Sequence, residues 1–203
     1  MWKREWLIDR VRLKGVKSTL MYTYISMLRG INVGGQKKIE MAELRRLYES
    51  LGLAQVSSYV QSGNVVFASA EPDGAKLAQL LETQIEQNFG FAVSVFIRDT
   101  ADFGQLFERN PFWRDRHEVL AKLHVTFLYR RPIEAELSNL RAPTGETDEF
   151  VVGEQEIFLF CPNGYGRTKL SNSFFERKLK QPATTRNWKT VTALYQLATE
   201  IEL

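Results

Sequence analysis

The residues best suited to chemistry in this sequence are cations set among glycines. The run Cys161-Pro162-Asn163-Gly164-Tyr165-Gly166-Arg167-Thr168-Lys169-Leu170-Ser171-Asn172 leaves an apolar stretch that reads as a strand and enters one that reads as a helix. Glycines let backbone turn tightly and approach a ligand. Ser171 or Asn172 can cap the helix, whose free N–H groups and positive dipole end attract an anion, and Arg167 and Lys169 add charge. The combination fits a phosphate or carboxylate cradle, with Asn163 and Tyr165 as further polar contacts. It is not a Walker loop, because no Gly-Lys-Ser/Thr ending follows Gly164 and Gly166. The plain alternative is a connecting loop whose cations are merely solvated.

The stretch from Arg29 to Lys38 has the same character, with three glycines, two amides and three cations directly after a strand. Arg29, Asn32 and Lys37 are its candidate ligand contacts, and two such loops could face one cleft. A long β-to-α crossover without a ligand is the competing reading. Gln61, Ser62 and Asn64 offer hydrogen bonds at a hairpin tip, although Gln-Ser-Gly-Asn is also good turn chemistry, and the turn is favoured. Thr185-Arg186-Asn187-Trp188-Lys189 opens the last helix and adds Arg186 and Lys189 to the candidates. Its simpler reading has Thr185 as cap, Trp188 in the core, and Arg186 and Lys189 in water.

Other chemistries lack their residues. One cysteine, Cys161, and two histidines, His117 and His124, support neither a disulfide framework nor a metal site, so no metal and no cofactor is expected. No G-x-G-x-x-G occurs, and the element order lacks the parallel βαβ of a dinucleotide site. Tyr22, Tyr24, Tyr59 and Phe67 could stack bases as in RNA-recognition modules, but core packing is the favoured use of those rings. Glu40, Asp99 and Glu176 could each act as a base, and no spacing selects among them, so catalytic residues stay unassigned.

Charge is unevenly placed. The chain carries a net +3, yet residues 1–20 hold six cations against two acids, which leaves −1 for residues 21–203. Within that body, residues 161–190 hold seven cations against Glu176 alone, a local +6. With 203 residues, 44% hydrophobic and 25% charged, the composition is that of a globular protein. No apolar run reaches the roughly 18 to 20 residues that cross a bilayer, so the cytosol is the expected compartment.

The elements that must position these loops follow from periodicity. Tyr22–Leu28 reads as a strand, Met41–Leu51 as a helix closed by Gly52, and 56–60 and 64–68 as a hairpin. A helix from Pro72 to Phe89 and a strand over 93–97 complete βαββαβ, the split-βαβ, ferredoxin-like order with helices on one face of an antiparallel sheet. The order then restarts: a strand over 123–129, a short helix over 133–140, a hairpin of 150–152 with 157–161, and a helix over 171–179. An amphipathic helix from Trp188 to Ile201 closes the chain. Phe103–Arg109 reads as a helix between the halves, followed by a turn at Asn110-Pro111-Phe112-Trp113 whose two rings dock on a core. The predicted fold is therefore α+β, with duplicated ferredoxin-like halves over 21–99 and 100–203, closely packed, and residues 1–20 as an appendage.

Four motifs in order carry a family resemblance. They are Leu28-Arg29-Gly30-Ile31-Asn32-Val33-Gly34-Gly35, Tyr59-Val60-Gln61-Ser62-Gly63-Asn64-Val65-Val66-Phe67, Asn163 to Asn172, and Ala183-Thr184-Thr185-Arg186-Asn187-Trp188. Together they closely resemble the bacterial domain of unknown function 1697 family from Met21 to about Ala198. The resemblance implies a bacterial cytosolic protein with a duplicated α+β fold, and it brings no activity, substrate or catalytic residue. The leading functional expectation is therefore an anionic partner, either nucleic acid or a phosphorylated small molecule, held through the basic loops. The alternatives are an enzyme using the same cations on a phosphorylated or carboxylated metabolite, and an interaction module whose exposed sheet face or final helix makes the contact.

Overall fold

A computed structural model describes residues 20–201. Residues 1–19, and with them most of the expected appendage, lie outside the described residues. The first half runs β1 (Tyr22–Leu28), α1 (Met41–Ser50), β2 (Ala54–Tyr59), β3 (Asn64–Ser69), α2 (Gly74–Phe89) and β4 (Val95–Asp99). Then come α3 (Thr100–Arg109) and α4 (Pro111–Arg114). The second half runs β5 (Leu123–Leu128), α5 (Glu134–Leu137), β6 (Glu149–Val152), β7 (Glu156–Phe160), α6 (Asn172–Leu179), β8 (Ala183–Asn187) and α7 (Trp188–Thr199). The two antiparallel sheets have matching strand orders, β2-β3-β1-β4 and β6-β7-β5-β8. Helix α3 follows β4 as α7 follows β8.

Side-chain alternation decides the layering. Along β1, Tyr24 and Leu28 point toward α1 and α2 and join Leu44, Tyr48, Phe67 and Leu81 in one core. Ile25 and Met27 point the other way and meet Phe96, Val125, Phe127 and Phe158 in a second core that also takes in Phe103, Trp188 and Leu194. A third core lies on the far side of the second sheet, where Phe174, Phe175 and Leu179 of α6 cover Leu128, Ile157 and Leu159. The sheets thus pack face to face between helical layers, and α3 and α7 contribute to the middle core. Burial of both sheet faces explains why almost every residue of β1, β3 and β5 is buried, small polar ones such as Ser26 and Thr126 included, since buried apolar area is the main driving term.

Three expectations are corrected. Of the two surfaces open to the interaction reading, the inner sheet faces are buried against each other, whereas the final helix α7 keeps exposed positions such as Lys189 and Gln196. The strand β8 carries no strand signal in the sequence, because Ala183-Thr184-Thr185-Arg186-Asn187 has no apolar alternation. Thr185 and Arg186 therefore sit in a strand that pairs with Thr126 and Val125, and the cap of α7 is Asn187, whose Oδ1 accepts from Thr190 N at 2.8 Å. At the inter-half turn, Phe112 is buried as expected, whereas Trp113 is 37% exposed. Tyr24 and Phe67 lie under the helices in the first core, as the packing reading of those rings expects.

The β2–β3 hairpin depends on Gly63. Its φ is +71°, and a Cβ there would lie 2.7 Å from Leu28 Cβ and 2.8 Å from Ile31 Cδ1, so both the conformation and the space require glycine. That close approach also lets the Gly63 carbonyl accept from Leu28 N at 2.8 Å.

Candidate functional site

The polar motifs meet where the two halves touch. Arg186 is the fourth residue of β8, on the face turned toward the first sheet, and is only 9% exposed. Its Nε donates to Asn64 Oδ1 at 2.5 Å, Nη1 to Thr184 Oγ1 and the Thr185 carbonyl, and Nη2 to the carbonyls of Leu28 and Ser62 at 2.9 and 3.1 Å. All of these acceptors are neutral. Burial, reinforced by the neighbouring Arg29 charge, pushes the guanidinium down to about 10, which still leaves it charged at neutral pH.

Arg98 performs the same task with the halves exchanged. It is fourth in β4, 7% exposed, and its Nη2 donates to the carbonyls of Leu128 and Gln155 at 2.8 and 3.1 Å. Leu28 and Leu128 end the equivalent strands β1 and β5, and Ser62 and Gln155 belong to the equivalent hairpins. A second reciprocal pair crosses the seam beside them. Arg29, just after β1, donates from Nε and Nη2 to Glu176 of α6 at 2.9 and 3.1 Å, while Tyr129, just after β5, donates to Glu82 of α2 at 3.1 Å. Each glutamate also accepts from the first residue of its own edge strand, Ala183 N for Glu176 and Val95 N for Glu82. Burial pushes the Glu176 carboxyl up, but Arg29 and the Ala183 N–H outweigh it and hold the group below the usual carboxylate range.

A cleft of about 510 Å³ opens at this second pair. Its walls are Arg29 and Lys37 from the first glycine-rich loop, Glu82, Thr83 and Glu86 of α2, the segment 92–94 that leads into β4, and Tyr129 and Pro182 from the second half. Lys37 spans its mouth, Nζ donating to the Ala92 carbonyl at 2.7 Å. Among the described residues, Arg29 Nη1 has no hydrogen-bond partner, since Nε and Nη2 make the bonds to Glu176. Two cations therefore face an open cleft at the boundary of two packed units, where ligand sites commonly form.

The other candidates are placed elsewhere. Asn32 locks its own loop, Oδ1 accepting from Ile39 N and Nδ2 donating to the carbonyls of Ile39 and Gln61. Gln61 itself is exposed at the hairpin tip. Tyr165 stacks on His124 at 4.8 Å, and its hydroxyl reaches Thr185 beside Asn172, which accepts from Thr185 at 2.6 Å. Asn163 donates to Thr147, and Lys169 to the Thr144 carbonyl, so the second loop is tied to the 144–147 segment. Arg167 is exposed, and Lys189 lies on α7 beside Tyr59 and Leu120. The two loops therefore approach each other through Arg29, Glu176 and Tyr165, and the cleft at Arg29 and Lys37 is lined by none of residues 161–172. Among the carboxylates weighed as bases, Asp99 caps α3 and Glu176 is paired with Arg29. Sequence reasoning missed Arg98, Glu82 and Tyr129. Their signal is the repeat itself, since each occupies the position of Arg186, Glu176 or Arg29 in the other half.

Two α+β units of one topology, packed sheet to sheet with a polar cleft at their seam, define the structural class. The chain belongs to the family described as protein of unknown function, DUF1697, whose profile matches residues 21–158. A solved structure of a conserved bacterial protein from Streptococcus pneumoniae is similar to it, with 31% identity and a TM-score of 0.67 over 88% of this chain and 99% of that one. No curated protein matches. Among the described residues no helix is long and apolar enough to cross a membrane.

Proposed function

We propose that this protein binds a small anionic molecule, carrying a phosphate or carboxylate, in the seam cleft, with Arg29 and Lys37 supplying the positive charge. The observation that carries this reading is the placement of both cations on one cleft lined by both halves, with donors still unspent. Charge-assisted bonds to an anion are the strong kind, and a partly enclosed site screens them less than open water does.

A small ligand fits better than nucleic acid. Glu82 and Glu86 offset the two cations, which disfavours a polyanion. The basic stretch 161–190 also loses Arg186 to the interior and so presents less positive surface than its sum implies. The solitary buried Cys161 agrees with a reducing, cytoplasmic setting, and the repeated topology with duplication of an ancestral half.

Calorimetric titration against sugar phosphates, nucleotides and carboxylate coenzymes tests the reading. Losing one charge-assisted bond is worth about 1.5 kcal/mol or more, so Lys37→Gln should weaken binding about tenfold while Arg167→Ala leaves it unchanged. Absence of binding across the panel, or an effect of Arg167→Ala alone, would overturn it.

A further inference from the structure

The seam cleft does not end at Tyr129. A second compartment of about 260 Å³ shares that residue and continues along the same side of α2, past Gly74, Ala75, Ala78 and Gln79, to the β4 residues Phe96 and Arg98. The two compartments lie side by side along α2 and meet at Tyr129, the second bounded by α2, the edge strand β4 and Tyr129 and Gln155 of the second half. The Tyr129 hydroxyl bond to Glu82 is made at that meeting point.

The two ends differ in chemistry. At one end stand Arg29 and Lys37, beside Glu82 and Glu86. The other end has little charge of its own, because Arg98 is tied to the carbonyls described above. It offers the Tyr129 ring, set edge-on to Phe96 with centroids 5.8 Å apart. It also offers the carboxamide of Gln79, which is exposed and, among the described residues, has no hydrogen-bond partner for its side chain, only its backbone carbonyl accepting from Thr83. A carboxamide presents a donor and an acceptor side by side, the pattern that pairs with the edge of a purine, and an aromatic ring supplies a stacking surface. Along α2, Gln79 precedes Glu82 and Glu86 by three and seven residues, so the compartments are separated by about 5 to 10 Å at 1.5 Å per residue. That is the scale on which a sugar joins a base to a phosphate.

We infer that the ligand is a purine nucleoside monophosphate, its base beside Tyr129 and Gln79 and its phosphate at Arg29 and Lys37. This rests on the anion-site reading and adds the ligand class to it.

Calorimetry with adenosine and guanosine monophosphates, and with inorganic phosphate alone, separates the two ideas. At least one nucleotide should bind at least tenfold more tightly than phosphate. Ala75→Leu, which fills the second compartment from an exposed helix position, should remove that margin while leaving phosphate affinity unchanged. Gln79→Ala, also exposed, should reduce it several-fold, with unfolding curves confirming that both variants stay folded. Equal affinities for nucleotides and phosphate, or a margin that survives both substitutions, would overturn the nucleotide and leave the anion site standing. No binding of either kind would remove both.

Discussion

Arg98 and Arg186 hold the two halves together from equivalent positions, yet their surroundings differ. Arg186 gives five hydrogen bonds to neutral acceptors. Arg98 gives three to carbonyls and sits in a charged cluster. Its Nε lies 3.5 Å from Asp102, and Arg109 lies 3.2 Å from the same carboxylate and 3.5 Å from buried Glu156. Glu156 occupies in β7 the place of Asn64 in β3, opposite Phe127 and Met27 respectively. What the halves share is the carbonyl clasp, which is architecture. Where they diverge, as with Arg29 against Tyr129 and the long loop after β1 against the short one after β5, the seam acquires its positive end.

Several substitutions would break or sharpen this comparison. Arg186→Ala should be the most damaging, because it strands buried acceptors from four segments, each worth about 1 kcal/mol or more, for a total of about 4 kcal/mol in chemical denaturation. Arg98→Ala should cost about 3 kcal/mol, since fewer bonds are lost and Arg109 remains beside the acids. An equal or larger loss at Arg98 would mean that the charged cluster, not the carbonyl clasp, dominates. The hairpins offer the next contrast. Gly63→Ala should lose about 2 kcal/mol through its left-handed backbone and the Leu28 and Ile31 contacts, whereas Gly153→Ala, which meets the Glu156 side chain alone, should lose about 1 kcal/mol.

Smaller effects test the second reciprocal pair. Glu176→Gln removes the carboxylate from a half-exposed ion pair and should cost about 1 kcal/mol. Glu82→Gln, which faces a neutral tyrosine, should cost less, about 0.5 kcal/mol. The smallest effect is a pH slope peculiar to the second half. His124 stands where the first half has Tyr24, and burial pushes its imidazole below the ordinary 6.5 despite opposing pulls from the Lys122 backbone and Asp148. Below about pH 6.5 the unfolded chain then binds more protons, so stability should decline as pH falls from there toward the folded value. His124→Phe keeps a ring against Tyr165 and should flatten that decline; an unchanged slope would assign it to another group.

The elements were legible because their signals are local. Met41, Leu44, Leu47 and Tyr48 recur at helical spacing, and Gly63 marks a hairpin whether or not its partners are known. The site was less so. Arg29 and Lys37 stood out by sitting among glycines, but the same criterion selected Arg167 and Lys169, which lie away from the cleft. Arg186 looked like a solvated cation at a helix entry because nothing beside it in sequence shows burial.

The sequence by itself determined the order of the strands and helices that have a periodic apolar face, all but β8 among the strands, and the resemblance of the second half's order to the first. Only the tertiary structure decided that the sheets pack face to face, that Arg186 and Arg98 are interior, and that Arg29, Lys37 and Tyr129 line one cleft. Periodicity tells a residue which side to bury but not against what. The acceptors that fix Arg186 are mostly backbone carbonyls, as far as 158 residues away, and every residue carries a carbonyl, so the chain holds no mark of which ones will be used.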